Sequence, residues 1–352
     1  MPFINTRTEL GERVTLDGLI DGSLETFKDY DSGDISTGAG SSATDGGRFY
    51  NCGVRKLITP RIYYNSGYAF KYSASSPESY VTIIVARENA TNPAASYYMC
   101  TYLTILDLNR PSSYFNFGVN KITNCVRLKH LILRTVSACG LTGTYLSGTP
   151  FASGGSGGSI YVPQSLISTY PTKSNWSTYN GYGTITWQPI ESTYLRIDDE
   201  TEEVDFVTLW KTSTKYSVDQ YVYYDGAVYK CLVAHTSADT TPDSDAENWS
   251  EEPSEDISTY KPLQYYYADG SPIAQSITKT LGTYGHSSNT DTSVYYDDPY
   301  ETTITVDYGH VLNSVTVTMD GTDVTSTVYD ESTGIISITA VKGPITITVS
   351  AT

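Results

Sequence analysis

No C-x-x-C pair occurs among the five cysteines, at positions 52, 100, 125, 139 and 231, and their number is odd. That arithmetic argues against a disulfide framework and for reduced, buried thiols. Positive charge is scarce too. With 22 Lys and Arg against 39 Asp and Glu, the 352-residue chain carries a formal charge of −17, which excludes the cationic clusters that nucleic-acid phosphates require. No apolar run approaches the ~20 residues of a membrane span. The opening Met1-Pro2-Phe3-Ile4-Asn5-Thr6-Arg7-Thr8-Glu9-Leu10 has neither the basic nor the apolar stretch of a signal peptide, so neither nucleic acid nor a membrane is an expected partner.

Catalytic and cofactor signatures are missing as well. The four histidines, His130, His235, His286 and His310, stand in unrelated contexts without metal-ligand spacing. The run Gly154-Gly155-Ser156-Gly157-Gly158 follows no strand-to-helix crossover and has no Lys for a phosphate, so it reads as a flexible coil tip. Acidic clusters occur at Asp29/Asp31/Asp34, 198–203, 239–247 and Asp297/Asp298. Nothing in the sequence sets two of these carboxylates face to face across a groove, as a glycosidase needs. Asp29-x-Asp31-x-x-Asp34 offers hard oxygen ligands on a Gly-bearing turn, which suits calcium. Solvated loop charge is the simpler reading, and no metal or other cofactor is assigned. The chain is not expected to be an enzyme.

Tyrosine is abundant, 32 against 8 Phe, with 28 Gly and much Ser and Thr. Tyr and Thr fit pleated, half-exposed surfaces, so a mostly β protein is expected, of a length that suits several domains. One phrase recurs, as Asn51-Cys52-Gly53-Val54-Arg55-Lys56-Leu57, as Met99-Cys100-Thr101-Tyr102-Leu103 and as Asn124-Cys125-Val126-Arg127-Leu128, each leading into a short apolar strand. A phrase repeated in this way is the mark of a solenoid, in which each coil buries its apolar side against the next. Strands are expected at 57–63, 80–86, 103–108, 128–135 and 159–162, with a helical turn from Pro163. The segments Leu131-Ile132-Leu133-Arg134, Gly148-Thr149-Pro150-Phe151-Ala152-Ser153-Gly154, Ile160-Tyr161-Val162-Pro163 and Asn175-Trp176-Ser177-Thr178-Tyr179 resemble the terminal coils of BspA-like leucine-rich-repeat proteins. The resemblance implies a leucine-rich-repeat-type solenoid over 46–195. Residues 1–45 precede it as a leader, cap or particle-attachment segment.

From Phe206 the pattern changes. Leu209-Trp210, Tyr216, Val218-Asp219-Gln220-Tyr221-Val222, Tyr224-Asp225-Gly226-Ala227-Val228-Tyr229-Lys230-Cys231, His235-Thr236-Ser237, Thr241-Pro242 and Asn248-Trp249 are similar to the small family 5 and 12 carbohydrate-binding modules. This implies a small three-stranded aromatic β module over 204–252 that binds sugar. Aromatic faces stack on the C–H faces of pyranose rings, and the candidates are Tyr216, Tyr221, Tyr223, Tyr224 and Trp249. Trp210, Tyr229 and Trp249 are also the expected core of so small a fold, and strand alternation sends only some of the tyrosines outward. The adjacent Trp pair of chitin- and cellulose-gripping relatives does not appear between His235 and Asn248. Residues 253–276 read as a linker. Beyond them, Thr302-Thr303-Ile304-Thr305-Val306, Val315-Thr316-Val317-Thr318-Met319, Ile335-Ile336-Ser337-Ile338 and Ile345-Thr346-Ile347-Thr348-Val349 alternate with period two around Asp320-Gly321 and Ser332-Thr333-Gly334 turns. This part resembles the immunoglobulin-like repeats of bacterial and phage surface proteins, which implies a C-terminal immunoglobulin-like β-sandwich over 277–352.

Exterior recognition modules without an export signal lead to an expectation for the whole chain. It is a non-enzymatic structural protein on the exterior of a bacteriophage particle, as a fibre, spike or capsid decoration, made in the host cytoplasm and released by lysis. Its partners are other virion proteins and host or mucosal surface glycans, and a homo-oligomer is expected, with a trimer favoured. A bacterial cell-surface adhesin and a glycan depolymerase are the alternatives.

Overall fold

The computed structural model describes residues 82–86, 97, 100–110, 116–117, 122–141, 146–197, 204–253 and 255–352, and the backbone of the strands Thr26–Lys28, Ile35–Ser36, Lys56–Thr59 and Ile62–Tyr63. Apart from those strands, the expected 1–45 leader, the Asp29 loop and the Cys52 phrase lie outside the described residues. The chain is mostly β and divides into two compact units, 1–264 and 265–352.

A seven-stranded sheet in the first unit follows the order of the chain: Thr26–Lys28, Lys56–Thr59, Ile83–Ala86, Ile105–Arg110, His130–Thr135, Gly158–Val162 and Ile185–Pro189. Every neighbouring pair is parallel, and Leu106, Leu131 and Ile160 fall in one row. Alternation sends Leu106, Leu108, Leu131, Leu133, Ile160 and Val162 into one core with Cys100, Cys125, Cys139 and Phe151. Beyond the sixth strand, the expected turn at Pro163 is realised as the 3-10 turns Gln164–Leu166 and Tyr170–Thr172. Helix α1 (Trp176–Gly181) then carries Trp176 into the core, where its indole N–H donates to Cys139 O at 2.9 Å.

The glycine run at 154–158 is no free tip. Gly155 N–H donates to Ala152 O, Gly157 N–H to Pro150 O and Gly158 N–H to Thr184 O, each at 3.0 Å. At Gly158 a Cβ would lie 2.6 Å from Lys129 O, so glycine is required where the strand Gly158–Val162 starts beside His130–Thr135.

The opposite face of the seven-stranded sheet, built by Ile83, Val85, Ile105, Asp107, Ile132 and Tyr161, is buried too. Burial on both faces explains why runs such as Leu131-Ile132-Leu133 are continuously apolar. Phe206, from a second sheet, covers part of this face with its ring 4.5 Å from that of His130 and 4.8 Å from that of Tyr161. Arg134 secures the same seam. It holds Asp107 through Nε–Oδ1 at 2.8 Å and Nη2–Oδ2 at 2.9 Å, and it donates from Nη1 to Leu263 O at 2.6 Å.

The second sheet has six strands, ordered Trp249–Glu251, Ala227–Cys231, Tyr221–Tyr224, Val204–Leu209, Thr193–Ile197 and Lys261–Pro262. All neighbours are antiparallel except the central pair, Tyr221–Tyr224 with Val204–Leu209. The sheet is thus wider than the three strands expected of an aromatic module. Lys261–Pro262, at its edge, comes from the segment read as a linker. Asp225 and Gly226, with φ of 44° and 87°, form the two-residue turn that sets Tyr224 opposite Ala227.

In the second unit, a five-stranded sheet (Ser293–Tyr295, Ala274–Thr280, Ile345–Ala351, Leu312–Met319, Thr322–Asp323) and a four-stranded sheet (Gly285–Ser287, Tyr300–Val306, Ile335–Ile338, Tyr329–Asp330) share one core. Ile277, Val317, Ile345, Ile347 and Val349 from one meet Tyr300, Ile304, Ile336 and Ile338 from the other. The expected Asp320-Gly321 turn is present, with φ of 49° and 76°. Tyr266, Tyr267 and Ala268, also from the 253–276 segment, are buried in this unit.

Candidate functional site

The strands Tyr221–Tyr224 and Ala227–Cys231 distribute the module's aromatics over two faces of the six-stranded sheet. Val222, Tyr229, Cys231 and Trp249 gather with Tyr216 into a closed core, with Trp210, Tyr224 and Ala227 packed against it. Val207 and Val228 gather on the other face with Tyr260, and Tyr194, Tyr221, Tyr223 and Ile257 lie half-buried around them.

Two of the five candidate sugar-stacking residues are thereby turned inward. Tyr216 is 0% exposed and Trp249 2%, so neither ring has a face open to a ligand. Their rings meet edge to face at 5.0 Å, and His235 stands 5.2 Å from Trp249. The Tyr216 hydroxyl accepts from Lys211 N at 2.8 Å and donates to Lys211 O at 3.2 Å, and burial pushes its pKa up to about 12. These two residues make the core, as expected of a fold this small. Tyr224 is half-buried against Trp210, with ring centres 5.4 Å apart and an interplanar angle of 76°.

Tyr221 and Tyr223 remain on the opposite face. Cross-strand register sets Tyr194, Val207, Tyr221 and Lys230 in one row, and Leu209, Tyr223 and Val228 in the next. Charges border this aromatic strip. Arg196 Cζ lies 5.4 Å and Lys230 Nζ 5.9 Å from the Tyr221 ring centre, within the range at which cations are attracted to ring faces. Lys230 pairs with Asp219 at 2.9 Å, and Arg196 with Glu255 at 2.8 Å and Asp205 at 3.3 Å. Tyr260 donates its hydroxyl to Glu255 and closes one side of the strip.

An apolar platform fringed by hydrogen-bonding charges suits a sugar, which presents a C–H face to aromatic rings and hydroxyls to the rim. Sequence reasoning reached Tyr221 and Tyr223 but not Tyr194, Arg196 or Tyr260, which lie outside the resembling segment. The signal for Tyr194 and Arg196 was the period-two pattern of Thr193-Tyr194-Leu195-Arg196-Ile197. Among the described residues, no group of three or more His, Cys, Asp or Glu is placed to hold a metal. Nor is any helix there long and apolar enough to cross a membrane.

Residues 209–250 match the model of carbohydrate-binding module family 5/12. The match takes in the Tyr221–Tyr224 and Ala227–Cys231 strands, the core around Tyr216 and Trp249, and Tyr221, Tyr223 and Val228 of the other face, while Tyr194, Val207, Ile257 and Tyr260 fall outside it. No curated protein and no solved structure matches the chain.

Proposed function

We propose that this protein is a non-enzymatic, glycan-binding structural protein carried on the exterior of a bacteriophage particle, where it mediates adhesion to host or mucosal surface glycans. The observation that carries the glycan reading is the family 5/12 match at 209–250, on a sheet whose outer face bears Tyr221 and Tyr223 beside Tyr194. Its virion placement comes from reading the chain as a mosaic of exterior modules: a leucine-rich-repeat-type solenoid, a carbohydrate-binding module and an immunoglobulin-like domain; a homo-oligomer, with a trimer favoured, follows from the resemblance to fibre proteins. The seven parallel strands in chain order support the first of these, since a solenoid adds one strand per coil. The two sheets around one core in 265–352 support the last.

Placement is tested by electron microscopy of particles from an induced lysate, labelled with an antibody to the intact chain. Regular label on capsids, fibres or tail tips is the expected result. Label on bacterial envelopes beside bare particles would transfer the role to a cell-surface adhesin. Release of reducing sugar from a bound glycan would make the protein a depolymerase.

A further inference from the structure

Cys100 and Cys125 occupy the same place in successive coils. Each stands six residues before its member of the paired row Leu106–Leu131. Each donates its backbone N–H to the carbonyl three residues earlier, Tyr97 O at 3.3 Å and Ile122 O at 3.4 Å, and accepts from the amide three residues later, Leu103 and Leu128, both at 3.1 Å. Equivalent positions in adjacent rungs of a parallel ladder lie about 4.8 Å apart, inside the 4.4–6.8 Å Cα separation that a disulfide spans. Both side chains point into the coil interior, 1% and 0% exposed. Both lie in one buried cluster, and Cys125 Sγ–H donates at 2.7 Å to Tyr97 O, the same carbonyl that accepts from Cys100 N–H. Cys139 has different company, accepting from the Tyr170 hydroxyl at 3.3 Å, and Cys231 lies in the six-stranded sheet.

We propose that Cys100 and Cys125 form a reversible disulfide that staples two successive coils of the parallel sheet when the chain meets an oxidising medium. The oxidant is a low-molecular-weight disulfide such as oxidised glutathione. One protein thiolate attacks it to give a mixed disulfide and release one thiol. The second protein thiolate then displaces the remaining half, so that one S–S bond forms in the protein, one is reduced in the oxidant, and both protons leave with the released thiols. Burial and the neighbouring Cys125 hold the Cys100 thiol protonated, so exchange in the folded chain is slow and the bond closes during folding or a local opening. A cytosolic chain keeps both thiols, and a chain folded or opened outside the cell locks its coils.

The test is to refold the intact chain in a glutathione redox buffer, block free thiols by alkylation in denaturant and map peptides without reduction. The expected result is a single Cys100–Cys125 cross-linked peptide, with Cys52, Cys139 and Cys231 alkylated and a Tm about 5–10 °C above that of the reduced chain, a gain reversed by dithiothreitol. Cys100→Ser and Cys125→Ser should each abolish both the cross-link and the gain, while Cys139→Ser changes neither. Full alkylation of Cys100 and Cys125 after oxidative refolding overturns the proposal. Pairing of either with Cys52, Cys139 or Cys231 overturns it as well.

Discussion

Single residues fix the seam between the two sheets of the first unit, and His130 and the Asp107–Arg134 pair give it two measurable signatures. Burial, with a smaller contribution from the charge of Lys129, lowers the His130 pKa to about 3. Its Nδ1 lies 3.0 Å from the Tyr161 hydroxyl. Unfolded, the same imidazole takes its proton near pH 6.5. Between those values the unfolded chain binds the extra proton, so His130 favours folding above pH 6.5 and loses that contribution as pH falls toward 3. Replacement by Gln should remove about 2 kcal/mol of the stability lost between pH 7 and 5, read from urea midpoints at the two pH values. An equal loss in both chains would show that His130 takes up its proton over the same pH range folded and unfolded. Asp107 and Arg134 form the second signature, a bidentate pair with Asp107 fully buried. Arg134→Ala strands a buried carboxylate and should cost about 3–5 kcal/mol, whereas Asp107→Leu with Arg134→Met should cost far less, because no buried charge is then left to stabilise.

At the scale of elements, the Val204–Leu209 strand works on two faces. Phe206 packs toward His130 and Tyr161, while Val207 supports the tyrosine strip. Phe206→Ala should cost about 3–5 kcal/mol and speed amide exchange in His130–Thr135 and Gly158–Val162. Faster exchange confined to Val204–Leu209 would show that the seam does not depend on this ring. How much was legible in the sequence follows the same division. The strands at 103–108 and 128–135 were readable because Leu106, Leu108, Leu131 and Leu133 alternate, and the turn at Asp320-Gly321 because that dipeptide tolerates positive φ. Thr193–Ile197 and Lys261–Pro262 were not readable as partners of one sheet, since they join across some 65 residues of chain and carry no local mark of that pairing. The inward turn of Tyr216 and Trp249 was only half legible. Composition shows aromatics in excess, but which of them fill a core depends on the closure of the fold.

At the scale of the molecule, the division at 264 falls inside the segment that composition marks as a linker. On one side of it Tyr260 and Leu263 are buried in the first unit, and on the other Tyr266, Tyr267 and Ala268 in the second. Limited proteolysis of the intact chain should therefore yield a protected fragment beginning close to 265, with no early cut within 257–263, where backbone amides are paired. Early cleavage throughout 253–276 would contradict that packing.

Glycan recognition by the Tyr221 and Tyr223 face of the six-stranded sheet is the central claim, and a binding titration tests it most directly. The intact chain is screened on a glycan array, and the best ligand is then titrated against the wild type and against a Tyr221→Ala/Tyr223→Ala variant whose Tm is checked alongside. Loss of two stacking rings should weaken binding about a hundredfold, roughly tenfold for each ring, in a variant whose Tm shows that it remains folded. Undiminished affinity in the variant, or no retained glycan on the array, would contradict recognition by this face.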